Sequence, residues 1–308
     1  MSAVPLLSAN LAVAVLESFL YGIYLLLLLL ALYLKAIRHH EPLTATPRWS
    51  SVVFGALLLF LLITAHWILN IVRLFMAFND TGREPEAFYA DLSHSTEVAK
   101  YAFFVASLSV ADFFLIHRLW AVWEFRTRII VFPSVTFVGF IAFGVGLTYQ
   151  LSTYSSNDNI FQAAFRRWTT GICFFSLCTA AYTTGFVWYK LWTTSRVLKS
   201  LGISSLGSII RIFIDSAALI AIWGTFHVVS YQCGSNLQFI AVDCTPPIVG
   251  ISNLLIQIRL HWDLTKDQAD SSSSITNPIR FTSDVESSRC DAELEGNLKD
   301  QGILTTGH

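Results

Sequence analysis

Apolar residues in this chain come in seven long blocks, at about 11–34, 52–75, 99–122, 129–149, 169–191, 208–231 and 238–260. A bilayer core about 30 Å thick needs about 20 apolar residues per helical span, and every block reaches that length. The first is the clearest, with Leu25 to Leu30 unbroken; the third and sixth carry Asp112 and Asp215 and are weaker on hydropathy. A membrane barrel would show alternating segments of about ten residues, whereas these blocks are continuously apolar. The pattern predicts an all-α fold: a seven-transmembrane helix bundle over 1–264, followed by a tail over 265–308.

Charge placement adds an orientation. Lysine and arginine accumulate in cytosolic loops. The first, third and fifth loops and the start of the tail carry twelve of them, from Lys35 to Lys266, against five on the other side: Arg73, Arg83, Lys100, Arg166 and Arg167. The N-terminus is therefore expected outside and the C-terminus in the cytosol. No positive segment precedes the first block, so a cleaved signal peptide is not expected. Asn79-Asp80-Thr81 falls in the expected outer second loop and makes Asn79 a candidate N-glycosylation site. The tail holds Ser271 to Ser274 and eight acids against four bases. It reads as a disordered, acidic, Ser-rich cytosolic segment, either a solvated end or a phosphorylatable stretch that recruits a cytosolic partner.

Composition narrows the function classes. The chain is 54% hydrophobic and 13% charged, with a net charge of −1. This excludes a basic nucleic-acid binder, and an aromatic content of 14% excludes a disordered chain. Five cysteines are too few for a disulfide-dense scaffold. A retinal protein needs a lysine inside the last span, and 238–260 has none. His66 and His227 are the only mid-span histidines, too few for a membrane zinc site. No GxSxG, P-loop or GxGxxG is present. No enzyme, catalytic set, cofactor or metal is expected.

Ionisable groups at membrane depth normally face the bundle interior. An outer layer contains Glu17, His66, Asn70, Arg73, His227 and Asp243. His66, Asn70 and Arg73 are spaced i, i+4, i+7 and share one helix face, with Glu17 at comparable depth and His227 expected opposite. This layer is either an outward-facing polar pocket or a structural interhelical network, and Arg73 has the further option of snorkelling to the headgroups. An inner layer contains Asp112, Arg118, Asp215, Asn253 and Arg259. Arg118 lies where seven-helix receptors carry a switch arginine, but has no adjacent acid. Cys233 and Cys244 flank the last outer loop and are candidates for a disulfide. Thr245-Pro246-Pro247 nearby has the chemistry to start or kink the last helix, which leaves the depth of Cys244 open.

Several patches carry a resemblance: Glu17-Ser18-Phe19-Leu20-Tyr21-Gly22-Ile23-Tyr24, Thr64-Ala65-His66-Trp67, Phe88-Tyr89-Ala90-Asp91-Leu92-Ser93, Arg118-Leu119-Trp120-Ala121-Val122-Trp123, Gly146-Leu147-Thr148-Tyr149-Gln150 and Asn236-Leu237-Gln238-Phe239-Ile240. In this order, over about the first 260 residues, the chain resembles a large group of seven-span membrane proteins of mushroom-forming (basidiomycete) fungi. The resemblance implies seven helices and a fungal membrane protein. It implies no activity and no catalytic or binding residue. The motifs of fungal pheromone receptors and the NPxxY pattern of many seven-helix receptors are missing. Three readings remain: a receptor-like sensor with an unknown ligand, a small-molecule or lipid transporter, and a structural or adaptor protein. The sensor is favoured on topology alone, with the plasma membrane preferred over internal membranes.

Overall fold

The computed structural model describes residues 5–38, 48–79, 84–153, 163–200 and 207–258, with side chains described for 5–36, 53–79, 84–153, 167–196 and 218–258. The described residues all fall in one unit. The expected disordered tail, 265–308, lies outside the described residues.

The fold is all-helical there. The elements are α1 (Leu6–Arg38), α2 (Arg48–Asn79), α3 (Pro85–Ala90), α4 (Ser95–Val122), α5 (Thr127–Ser152), α6 (Ala163–Ser200) and α7 (Gly207–Gln232), then α8 (Leu237–Ile258). Six of them, α1, α2, α4, α5, α6 and α8, contain segments long and apolar enough to cross a membrane. The sixth predicted block coincides with α7, whose first half lies outside the described side chains. The long helices extend past the apolar blocks at most of their ends. Blocks mark where side-chain polarity changes, whereas the backbone hydrogen-bond ladder continues past that change. The chain is a multi-pass, largely helical integral membrane protein.

The loops carry explicit stop and start chemistry. Pro85 opens α3 at a position where its missing N–H costs nothing. Asp91 ends it, its carboxylate accepting from Ser93 N at 3.2 Å and Ser93 Oγ at 2.7 Å. His94 caps α4 through Thr96 N. At the far end of α4, Glu124 (φ 55°) and Phe125 (φ 64°) are left-handed, and Phe125 N donates back to Trp120 O at 2.9 Å. This pair reverses the chain into α5.

Small residues set the helix contacts, as expected where lipid removes the hydrophobic drive between helices. The Trp168 ring fills the notch at Gly146, where an added Cβ would lie 2.3 Å from the ring. Phe143 does the same at Gly171. Thr136 and Thr179 share a hydroxyl hydrogen bond of 2.8 Å between α5 and α6. The helix α8 lies innermost: 78% of its span is buried, against 22–39% for the other five. It runs helically through Pro246 and Pro247 rather than starting or breaking there. Those prolines withhold the N–H groups that would bond Val242 O and Asp243 O.

Candidate functional site

One end of the bundle gathers α3, the start of α1 and the end of α2. Leu6 and Leu7 pack on Ala77, Phe88 and Tyr89. Below this roof a column of polar groups descends between α1, α2, α4 and α8.

Arg73 sits at the top of the column, 1% exposed. Its guanidinium lies 5.1 Å from the Phe88 ring centroid and 5.9 Å from that of Tyr89, and it donates to Thr96 Oγ1 at 2.8 Å. Its Nε is 2.7 Å from Glu97 Oε2, an ion pair rather than an aligned hydrogen bond. Glu97 Oε1 is 3.3 Å from Lys100 Nζ, one turn along α4. Lys100 donates to Asp243 Oδ2 on α8 at 3.1 Å. Asp243 Oδ1 lies 3.7 Å from His66 Nε2, and His66 Nδ1 is 2.8 Å from Glu17 Oε1 on α1. Asn70 Nδ2 donates to the other Glu17 oxygen. All six ionisable groups are at most 3% exposed. At the roof, burial holds the Tyr89 phenol above its usual range, against the opposing pull of Arg73 and Lys100.

Neighbouring contacts fix the register of α1 on α2. Trp67 Nε1 donates to Ser18 Oγ at 3.0 Å, the Tyr21 and Thr64 hydroxyls meet at 3.0 Å, and the Tyr21 and Trp67 rings stack at 4.7 Å. The shared helix face thus brings Glu17, His66 and Asn70 together. Arg73 is on the same column but pairs with Glu97, not Glu17, because seven residues of α2 lift it about 10 Å from His66.

His227 departs from the expected arrangement. It sits apart from the column, with Nδ1 3.5 Å from Cys173 Sγ and Nε2 without a partner among the described residues. It lines a separate cavity of about 40 Å³ between α4, α5, α6, α7 and α8, with Tyr101, Phe104, Thr169, Gln238 and Phe239 among the walls. The outer layer, read from the sequence as a pocket or a structural network, is therefore two features: an ion column, and a separate small cavity lined by His227.

The inner residues divide as well. Arg118 donates to Asn253 O at 3.2 Å, which joins α4 to α8. Asn253 Nδ2 donates to its own helix at Val249 O. Asp112 faces Ser176 of α6 instead, because six residues along a helix turn it well away from Arg118. The side chains of Asp215 and Arg259 lie outside the described residues. Asn79 closes α2 and is exposed.

The candidate disulfide pair stands apart in the structure. Cys233 and Cys244 are free, the first exposed and the second buried. Cys244 sits two turns down α8, about 10 Å below its start, while Cys233 stays in the connecting turn; a bond needs Cα atoms within about 7 Å. Among the described residues, no group of three or more His, Cys, Asp and Glu is placed to hold a metal ion.

The sequence reading missed Glu97 as a site residue and counted Lys100 as a loop charge. Their i, i+3 spacing on one face of α4, with no apolar residue needed between them and the loop, was the available signal. No protein-family model, curated protein or solved structure matches the chain.

Proposed function

We propose that the chain is a receptor-like sensor of the plasma membrane: seven spans, N-terminus outside, tail in the cytosol, and no enzymatic activity of its own. In this reading it belongs with the seven-span proteins of mushroom-forming fungi that its sequence patches resemble. The observation that carries the sensor reading is the cavity lined by His227. It lies at the α3 end of the bundle, the end that the charge asymmetry assigns to the outside. Five helices meet around it, so a ligand there touches most of the elements a signal would move. If Nδ1 accepts the Cys173 thiol hydrogen, the ring proton resides on Nε2, a buried donor with no partner. Walls of aromatic and aliphatic side chains with a few polar groups, His227, Thr169 and Gln238 among them, suit a small, largely apolar molecule carrying an acceptor, such as a short alcohol or ketone.

The test is thermal stabilisation of the purified protein in nanodiscs across such a library. A ligand is expected to raise the melting temperature of the wild type and not of His227→Leu. No stabilisation by any member, or equal stabilisation of the variant, overturns the site. A second reading, transport of a small molecule or lipid, draws on the ionisable column, since buried charges often line ion pathways. Saturable flux into liposomes would favour it over sensing.

A further inference from the structure

We infer that the ion column binds one proton inside the membrane, held on the His66 imidazole between Glu17 and Asp243. Followed from the roof downward, the contacts run Arg73, Glu97, Lys100, Asp243, His66, Glu17. The signs alternate, with a base between each pair of acids, and His66 occupies the position of the third cation. With a neutral imidazole the column holds three carboxylates against two cations. One surplus negative charge would then be sealed among groups at most 3% exposed, the arrangement hydrocarbon tolerates least.

Geometry selects the compensating ion. No metal-holding group exists among the described residues, and the 2.8 Å contact of His66 with Glu17 leaves no room for a hydrated cation. Both ring nitrogens face carboxylate oxygens, and a neutral imidazole has only one N–H to offer. With one ring proton on Nδ1 facing Glu17 at 2.8 Å, a second on Nε2, taken from bulk water, places an imidazolium 3.7 Å from Asp243 and cancels the surplus charge. The other titratable groups around this point are Arg73 on α2, Tyr89 on α3, Glu97, Lys100 and Tyr101 on α4, and Cys244 beside Asp243 on α8. Arg73 and Lys100 are already committed to Glu97 and Asp243.

The proton ties α1 and α2 to α8. Any motion that draws Asp243 away from His66 releases it, so such a motion is coupled to pH, and pH to that motion, by equal free energies. This holds for a sensor and for a transporter alike.

The decisive measurement is nitrogen-15 NMR of histidine-labelled protein in nanodiscs at pH 7.5, with His66 assigned by its contact to carbon-labelled glutamate and by its loss in His66→Gln. A free imidazole is about one-tenth protonated there; His66 is expected to be fully protonated, about a tenfold excess. In Asp243→Asn the fixed charges cancel without the extra proton, and the His66 signal is expected to become neutral. A neutral His66 in the wild type overturns the proposal, as does an imidazolium unchanged by Asp243→Asn. An infrared band of a protonated carboxyl that vanishes in Glu17→Gln overturns it too, because the proton then sits on the acid. The wild-type spectra decide the matter even if a variant fails to fold.

Discussion

Arg73→Met removes the uppermost cation of the column while keeping side-chain length. The lost contacts are the 2.7 Å ion pair with Glu97, the 2.8 Å hydrogen bond to Thr96, and the stacking against Phe88 and Tyr89. Glu97 remains buried with Lys100 alone, and Lys100 is already shared with Asp243. Breaking one partner out of a buried pair typically costs about 3–5 kcal/mol, a shift of roughly two to four powers of ten in the folded-to-unfolded ratio. The double substitution Arg73→Met, Glu97→Met removes one charge of each sign. It leaves Lys100 on Asp243 and returns most of that loss, since apolar replacement of a whole buried pair is often neutral or better. The assay is equilibrium unfolding from mixed micelles into dodecyl sulfate, followed through the nine tryptophans. A double-mutant cycle should give a coupling energy of about 2 kcal/mol or more. Additive losses, with the double variant less stable than either single one, would refute the reasoning.

Two further outcomes follow from packing and topology. Gly55→Ala on α2 would place a Cβ 1.6 Å from Phe114 Cζ on α4; it should cost about 1–3 kcal/mol by overpacking, and Phe114→Leu in the same chain should recover part of it in the same unfolding assay. In intact cells, a membrane-impermeant maleimide should label exposed Cys233 from outside and leave buried Cys244 unmodified until the protein is unfolded; labelling of Cys233 only after permeabilisation would reverse the orientation.

The helices were legible because the signal for them is one-dimensional. Twenty apolar residues in a row leave the backbone no other way to satisfy its polar groups in lipid. The spacing of His66, Asn70 and Arg73 likewise fixed their common face on α2, and Glu17 at matching depth supplied a partner. What the sequence could not carry was the pairing between helices. Nothing in the order of residues says that Arg73 meets Glu97 on α4 before it meets Glu17 on α1. That choice depends on α3, a six-residue helix too short to stand out as a block, which roofs Arg73 with aromatic rings. His227 was separated from the column for a similar reason. Its rotation on α7 depends on which neighbours α7 packs against, and the order of residues along one helix does not name them.

The burial of α8 has a consequence for how the protein is made. Of the described helices it is the last to leave the ribosome, yet it is the innermost and the one most shielded from lipid. During synthesis the earlier helices enter the bilayer while Asp243 is still absent. Over that interval Lys100 and His66 lack their shared acid, and the seat that α8 will take beside Tyr24 and Ile63 is open. An unfinished chain therefore leaves Lys100 and His66 facing an open seat at membrane depth, where exposed polar groups are costly. Arrival of α8 closes the seat in a single step, so the same residues that balance the mature column also record whether α8 has docked.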